Sequence, residues 1–173
     1  MRISHRLFGR AAIDAAQPGS LAVSLLERLE PAELEELERY GRESLGEAAL
    51  DRWQLPVVAA FGFLFVGRLA GETVASAQVI RCRREGDLYM DGLYVRERFR
   101  GRGLGGALLQ GVLGQLAGQG SFRRLLVTVD PGNAAALALY RARGFRVVDE
   151  MPHFYGLGAD RLLLAAALKD GPA

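Results

Sequence analysis

Residues 100–106 read Arg100-Gly101-Arg102-Gly103-Leu104-Gly105-Gly106, and they are the most informative part of this chain. They follow a predicted strand at 88–95 and open a predicted helix at 104–116, in which apolar residues repeat every four positions. The first N–H groups of a helix have no partner inside it, and the helix dipole adds partial positive charge there. Because glycines leave these groups uncovered, the turn predicts a phosphate-binding site.

Positive charge surrounds this turn, whereas the chain as a whole is nearly balanced. Arg96, Arg98, Arg100 and Arg102 lie in or beside it. The whole chain has 22 Lys+Arg and 20 Asp+Glu, a net charge of +2 at pH 7. A local patch of this kind favours a phosphorylated small molecule over a duplex-sized surface. We therefore expect no nucleic-acid partner, with RNA binding as the alternative.

Composition indicates one globular domain. The chain has 173 residues, of which 50% are hydrophobic and 24% charged, which is enough for a substantial core. Cys82 is the only cysteine and there are 2 histidines, so we expect neither an intrachain disulfide nor a bound metal. No apolar run reaches the length of about 18 residues that a membrane span needs. We recognise no signal peptide, so we expect a cytoplasmic protein without a membrane segment.

Hydrophobic periodicity and turn signals divide the chain into an arm at 1–20, which ends in Gln-Pro-Gly-Ser, and a domain at 21–170. The predicted order is β-α-α-β-β-β-α-β-α-β-β, with an antiparallel front half and a parallel crossover at the glycine turn. The strands are predicted at 21–29, 61–68, 73–83, 88–95, 121–129, 145–148 and 162–168. The helices are predicted at 32–39, 41–54, 104–116 and 133–143. The longest apolar run, 55–67, indicates a core strand.

The glycine spacing also fits a different nucleotide site. Gly101, Gly103 and Gly106 match the dinucleotide fingerprint, and Asp130 follows at about the distance of a ribose-binding acid. A charged segment at 96–100 separates the strand from the first glycine, however, and too little chain follows for the second half of that fold. A Walker loop is excluded because no Gly-Lys-Ser/Thr follows the turn.

Two motifs together resemble the GNAT superfamily of acetyl-CoA-dependent N-acetyltransferases. Arg100-x-x-Gly103-x-Gly105 is similar to its motif A, and the segment 133–145 is similar to its Asn-x-x-Ala-x-x-Leu-Tyr-x-x-x-Gly-Phe element. The resemblance covers roughly residues 21–168. It implies an α/β, single-domain GNAT fold with a mixed, mostly antiparallel central sheet, whose central strands splay apart and are flanked by helices.

The resemblance also implies that acetyl-CoA is the acyl donor and that the chain is an enzyme. The pantetheine arm would bond to backbone groups of Leu93 and Val95 in the gap between the splayed strands, and the Val95 N–H would polarise the thioester carbonyl. Tyr140 matches the tyrosine that protonates the departing thiolate. Asn133 is explained equally well as a helix N-cap and as a cofactor contact. The implied cofactor-binding residues are Leu93, Tyr94, Val95, Arg100, Gly101, Arg102, Gly103, Leu104, Gly105, Gly106 and Asn133.

The acceptor amine needs a base, which the resemblance does not supply. Enzymes similar to the ribosomal-protein alanine acetyltransferase often carry a glutamate on the strand after the motif helix, where this chain has Thr128. Asp91, on the preceding strand, is our preferred candidate for the catalytic base. The alternatives are Glu72, Asp87, His153 and a water molecule.

The lack of a strong base favours an acceptor whose amine has a low pKa. A lysine ε-amine has a pKa of ~10.4 and an α-amine one of ~7.8, a difference that corresponds to about 3.5 kcal/mol. Tyr155 lies in a segment similar to one in protein N-terminal acetyltransferases, where a tyrosine helps to hold the peptide backbone. It is therefore our candidate substrate-binding residue.

These observations predict transfer of an acetyl group from acetyl-CoA to a primary amine, such as the N-terminal α-amine of a protein or peptide. One alternative is a small-molecule acceptor, namely an aminoglycoside, a polyamine or an amino acid. The other is a non-catalytic module that senses acetyl-CoA. An acidic run at 33–38 either forms a solvated helix face or attracts a cationic acceptor. We expect a monomer or a homodimer.

Overall fold

The computed structural model describes residues 20–168, which form seven strands and four α-helices in the predicted order. The strands are Ala22–Leu26 (β1), Phe63–Leu69 (β2), Glu72–Arg81 (β3), Asp87–Val95 (β4), Arg124–Val129 (β5), Arg146–Met151 (β6) and Arg161–Ala167 (β7). The helices are Pro31–Leu45 (α1), Gln54–Phe61 (α2), Leu104–Gly118 (α3) and Ala134–Arg141 (α4). Single 3₁₀ turns occupy Gly46–Ala48 and Glu97–Phe99.

All seven strands join one sheet in the order β1-β2-β3-β4-β5-β7-β6. Every neighbouring pair is antiparallel except β4 and β5, which are parallel. A parallel pair needs a crossover, and α3 supplies it immediately after the glycine turn. The predicted mixed, mostly antiparallel sheet is therefore confirmed.

The two central strands separate partway along their length. β4 and β5 pair only from Asp87 opposite Arg124 to Met90 opposite Val127. Beyond that point β4 stays paired with β3, and β5 stays paired with β7. The divergence begins at Asp91, which is the extra residue of a β-bulge in the β3–β4 ladder, and a bulge bends the strand that contains it. The predicted splay is thus present as a gap between β4 and β5.

Helices cover the two faces of the sheet unequally. On one face, here called the α3 face, Leu108 of α3 and Leu137 of α4 belong to the main buried cluster together with Met90 of β4. On the other face, here called the α1 face, Leu37 of α1 forms a smaller cluster with α2 and with Leu64 of β2. The second cluster is confined to the first half of the sheet, and within residues 20–168 it includes no residue of β5, β6 or β7.

The second predicted helix, at 41–54, is wrong, and so is the first half of the strand predicted at 55–67. In the structure α1 continues to Leu45, and α2 occupies Gln54–Phe61 before β2 begins. The missed signal is Asp51, whose side chain accepts hydrogen bonds from the N–H groups of Trp53 and Gln54 and so starts a helical turn. Pro56 is tolerated because it lies in the first turn, where no intrahelical donor is needed.

The arm predicted at 1–20 lies outside the described residues except for Ser20, and the limits of the domain at 21–170 stay a prediction. Within 20–168 no helix is both long enough and apolar enough to cross a membrane. The same residues contain no group of three or more His, Cys, Asp or Glu side chains that could hold a metal ion.

Candidate active site

The glycine turn owes two of its glycines to backbone conformation. Gly101 and Gly103 have φ angles of +75° and +74°, in the left-handed region that residues with a Cβ avoid. Neither has another atom within 4 Å of where a Cβ would stand, so neither is required for space. Gly103 is the residue that precedes α3, so its conformation directs the N–H groups of 104–106 out of the helix end.

The next two glycines lie close to other elements. A Cβ on Gly105 would lie 3.6 Å from Cγ2 of Val95 and 3.8 Å from Cδ2 of Leu139. A Cβ on Gly106 would lie 2.6 Å from a guanidinium nitrogen of Arg143, whose Nε donates to the Gly106 carbonyl at 3.2 Å. The start of α3, the end of β4 and helix α4 therefore meet at one place. This brings the motif turn beside the helix that carries Tyr140.

The hydrogen-bond alternation of β4 determines which backbone groups face the gap. The Arg96 N–H donates to the Val74 carbonyl of β3 at 2.9 Å. In an antiparallel ladder hydrogen-bonded pairs alternate with unbonded ones, so Tyr94 is bonded to β3 while Leu93 and Val95 are not. The backbone groups of Leu93 and Val95 therefore point toward β5, where the gap has removed their strand partners. The Val95 carbonyl accepts a hydrogen bond from Nε of Arg100 at 3.0 Å.

Tyr94 does not share this orientation. Its side chain is buried on the α1 face, where its ring approaches Gly41 and its hydroxyl lies 3.5 Å from the Leu37 carbonyl. Burial raises the pKa of this hydroxyl. Both its backbone and its side chain are thus turned away from the gap that Leu93 and Val95 face.

The four arginines around the turn divide into two pairs. Arg96 forms an ion pair with Glu72 at 2.7 Å and stacks over the Tyr40 ring at 3.6 Å, and Arg98 also pairs with Glu72. By contrast, Arg100 bonds to backbone, and Arg102 lies over the Phe99 ring. Neither Arg100 nor Arg102 has a carboxylate partner within residues 20–168. Their charge is therefore available to an anionic ligand at the turn.

Tyr140 is a buried phenol on α4. Only 7% of the residue is exposed, its ring lies 5.2 Å from that of Phe145, and burial raises its pKa to about 12. Within the described residues its hydroxyl makes no hydrogen bond. A phenol with this pKa keeps its proton at neutral pH and can donate it. Asn133 caps the same helix, because its side-chain oxygen accepts from the Ala136 N–H at 3.0 Å; this confirms the N-cap and leaves the cofactor contact a prediction.

A polar cluster, which the sequence did not identify, spans the gap on the α1 face. The Tyr89 hydroxyl of β4 lies 2.7 Å from Oγ1 of Thr128 on β5 and 3.5 Å from the hydroxyl of Tyr155 in the β6–β7 loop. Arg161, at the start of β7, stacks over the Tyr155 ring at 4.9 Å. Partial burial raises the pKa of Tyr89. The sequence predicts Tyr155 as a substrate-binding residue, whereas the contact between Tyr89 and Thr128 depends on strand register.

Asp91 lies at the point where the gap opens. It is exposed to solvent, and the neighbouring strands still desolvate its carboxylate enough to raise its pKa. Its charge also acts on Tyr89 and contributes to the raised pKa of that phenol. An exposed carboxylate with a raised pKa can accept a proton from an amine that enters from the α1 face.

The other candidate bases have structural partners. Glu72 forms ion pairs with both Arg96 and Arg98. Asp87 is buried and bonded to Arg124, and this hydrogen bond lowers its pKa. Nδ1 of His153 accepts a hydrogen bond from the Gly158 N–H at 2.9 Å within the β6–β7 loop. The geometry favours Asp91 over these three alternatives.

The candidate site thus combines a sheet opened between parallel neighbours, a glycine turn at one side of the opening and a buried phenol beside that turn. The chain belongs to the GNAT family, because the sequence model of the Acetyltransferase (GNAT) family matches residues 25–145. Members of this family use acetyl-CoA and an amine acceptor.

Two curated relatives are similar over part of the chain. One is L-methionine sulfoximine/L-methionine sulfone acetyltransferase from Pseudomonas aeruginosa, 38% identical over 60 residues, which is 35% of this chain and 34% of the relative. The other is an N-alpha-acetyltransferase from Sulfurisphaera tokodaii, 34% identical over 74 residues, which is 43% of this chain and 44% of the relative. The matched regions thus span less than half of each relative's length.

Solved structures extend the likeness of fold to most of the chain. The ribosomal-protein-S18-alanine N-acetyltransferase from Escherichia coli has a TM-score of 0.72 at 20% identity, covering 88% of this chain and 96% of that one. An acetyltransferase from Bacillus subtilis, solved in complex with CoA, has a TM-score of 0.71 at 15% identity, covering 87% and 100%. At these identities the similarity concerns the fold.

Proposed function

We propose that this chain transfers the acetyl group of acetyl-CoA directly to an α-amine, such as the N-terminus of a peptide, within a ternary complex. The observation that carries the proposal is the gap between β4 and β5. Side chains flank it on both faces of the sheet: Tyr140 lies on the α3 face, and Asp91 and Tyr89 lie on the α1 face. A donor and an acceptor can therefore meet in it from opposite sides.

The α3 face and the glycine turn suit the donor. The backbone groups of Leu93 and the N–H of Val95 face the gap and offer an extended pantetheine arm hydrogen bonds that a neighbouring strand would make, whereas the Val95 carbonyl accepts from Arg100. The N–H groups of 104–106, with the free charge of Arg100 and Arg102, suit a pyrophosphate. Acetyl-CoA supplies an acetyl group on a thioester, whose thiolate is the leaving group.

Three groups of this chain carry the proposed chemistry. The Val95 N–H donates to the carbonyl oxygen as negative charge develops there during attack by the amine nitrogen. The Tyr140 hydroxyl gives its proton to the sulfur as the carbon–sulfur bond breaks. Asp91, directly or through a water molecule, takes the proton that the nitrogen loses. No covalent acyl-enzyme is needed, so Cys82 has no part in the reaction.

The preference for an α-amine follows from the weakness of this base. Thr128, at the position where related enzymes often carry a glutamate, bonds to Tyr89 and cannot act as a base. An α-amine is roughly 10% neutral at pH 7, whereas a lysine amine is about 0.04% neutral, so the α-amine needs less help. The similarity to an N-alpha-acetyltransferase supports the same acceptor class.

A small amino-acid derivative is the second candidate acceptor. The observation that favours it is the similarity to an enzyme named for L-methionine sulfoximine and L-methionine sulfone. Such a substrate would use the same base and the same proton donor. Only the groups that contact the rest of the acceptor would differ.

The test combines calorimetry of acetyl-CoA binding with a thiol assay for CoA release, run with pooled peptides and with pooled small amines. The proposal expects micromolar binding together with thiol release in the peptide pool. Release confined to the small-amine pool would replace the peptide acceptor with the second candidate. Binding without release in any pool would favour a sensor of acetyl-CoA, and absence of binding would overturn the donor site itself.

A further inference from the structure

We infer that the acceptor carries a large apolar group next to its amine, and that this group lies on an uncovered apolar strip of the sheet. The inference rests on the proposed function, since the strip lies on the acceptor side of the same gap. We call this strip the apolar floor. It is formed by Ile80 of β3, the Tyr89 ring of β4, Leu126 of β5, and Leu163 and Ala165 of β7.

Strand register places these side chains in one row. Ile80 lies opposite Tyr89, Tyr89 beside Leu126, and Leu126 opposite Ala165. Residues directly opposite one another point to the same face of a sheet. Leu163 is two residues before Ala165 and opposite Thr128, so it lies on that face as well. The row crosses four strands on the α1 face.

No helix within residues 20–168 covers this row. None of the five residues belongs to either buried cluster or is packed against one. Ile80 is 39% exposed, and the other four are partly exposed. A face of a sheet that only meets water usually carries polar side chains, so a row of partly exposed apolar side chains on this face favours a binding site.

The apolar floor borders the polar cluster. This border restricts which acceptors can lie on the floor. Tyr89 belongs to both, because its ring is in the row and its hydroxyl bonds to Thr128. Asp91 and Thr128 are each two residues along their strands from the row, a distance of about 7 Å. An amine beside Asp91 therefore places its neighbouring side chain over Tyr89 and Leu126, and a leucine, methionine or phenylalanine is long enough to reach them.

The edges of the floor disfavour a polycationic acceptor. Arg146 of β6 lies opposite Ala165 and extends the row with a positive charge, and Arg161 stands over Tyr155. A second ammonium group on the acceptor would meet these guanidinium groups. The β6–β7 loop instead borders the floor with exposed Phe154 and Tyr155, whose rings pack edge to face. The chemistry points to one amine on an apolar body, not to a polyamine or an aminoglycoside.

The experiment compares acceptors that differ only in their first side chain. Peptides X-Ala-Ala-Ala with X as Leu, Met, Phe, Gly, Ser or Lys are acetylated by the full chain, and kcat/KM is measured for each. We expect Leu, Met and Phe to exceed Gly and Ser by about 10- to 100-fold, the range that burial of an apolar side chain supports. Equal values for apolar and polar peptides would overturn the inference and leave the proposed function standing.

A matched pair of variants tests whether the side chain of the acceptor lies on the apolar floor. Ile80→Thr removes apolar surface from the floor, whereas Val147→Thr does so at a residue that is 41% exposed and lies opposite Leu164, on the other face. We expect Ile80→Thr to lower the Leu-to-Gly ratio about 5-fold, with the acetyl-CoA KM unchanged, and Val147→Thr to leave the ratio as it is. Equal effects of the two variants would overturn the location. Absence of turnover with every acceptor would overturn the proposed function, and the inference with it.

Discussion

The two sides of the gap between β4 and β5 are constructed differently. On the α3 face one short segment, from Leu93 to Gly106, contributes backbone N–H groups through a strand end and a helix start. On the α1 face the corresponding groups are side chains from β3, β4, β5 and the β6–β7 loop. In the proposed function the comparison teaches that one segment holds the donor by its backbone geometry, whereas side chains from four separate elements select the acceptor.

Removal of the proposed proton donor on the α3 face is expected to have the largest effect. Tyr140→Phe should lower kcat about 100- to 1,000-fold, because the phenol no longer protonates the leaving sulfur. The buried ring and its contact with Phe145 are kept, so Tm and acetyl-CoA affinity should not change. Stopped-time thiol assays and calorimetry measure both. An unchanged kcat would show that the α3 face holds the donor without taking part in the chemistry.

The backbone basis of the donor site can be tested at the glycine turn. Gly103→Val forces a β-branched residue to a φ of +74°, which costs about 1–2 kcal/mol, and it should weaken acetyl-CoA binding about 10- to 100-fold by turning the N–H groups away. Gly118→Ala, at a helical position with open space around it, is the control and should leave binding unchanged. Equal affinities of the Gly103 variant and wild type would show that side chains, not the turn, hold the donor.

An ion pair with a buried carboxylate joins β4 and β5 where the two strands are still paired. Asp87 has a side chain 3% exposed, and it joins β4 to Arg124 of β5, which is 39% exposed. Asp87→Asn should lower the free energy of unfolding at pH 7 by about 2 kcal/mol, below the value for a fully buried pair because Arg124 stays partly solvated. Urea denaturation measures this change.

The same pair predicts a pH dependence of stability. Because the Arg124 hydrogen bond lowers the folded-state pKa of Asp87, its contribution is present above the ordinary aspartate pKa of about 3.9 and is lost as the pH falls through the lower folded-state pKa. The difference between wild type and Asp87→Asn should therefore shrink in urea titrations below about pH 3.9. A difference that stays constant with pH would contradict this origin.

The smallest effect is expected on the acceptor side. Asp91→Asn should lower kcat/KM for a peptide about 10-fold, at or below the usual range for a general base, because an α-amine is already partly neutral. The wild-type kcat/KM should rise with pH and level off near the α-amine pKa of about 8. Asp149→Asn, on the exposed edge strand β6, is the control. A fully active Asp91 variant would assign the proton to water.

Most of the fold could be predicted because its signals are local. The Ala70-Gly71 hairpin, the Asn133 cap and the repeat in α3 each involve residues within a few positions of one another, and the predicted succession of strands and helices is confirmed, although the second helix lies at 54–61 and not at 41–54. The exception is α2, where a buried apolar run fits a strand and a helix equally well. Only the capping bonds of Asp51 distinguish them.

The same distinction between local and distant residues applies to the candidate site. The glycine turn was identified from contiguous residues, and Tyr140 from its place in a motif. Tyr94 was included with its neighbours in the predicted donor site, yet the ladder with β3 turns it to the opposite face. Tyr89 was overlooked because nothing near it in sequence indicates that its hydroxyl meets Thr128, 39 residues away. The face of the sheet to which a strand residue points depends on the register of strand pairing, and that register cannot be derived from one segment alone.

The sequence by itself determined the glycine turn, the order of the elements and the resemblance to an acetyltransferase family, because left-handed glycines, helix starts and periodicity act over a few residues. Only the tertiary structure decided where β4 and β5 part, which backbone groups lose their partners there, and which side chains meet on the α1 face. These depend on a bulge at Asp91 and on pairing between strands distant in sequence. A one-residue change of register would send every such side chain to the other face.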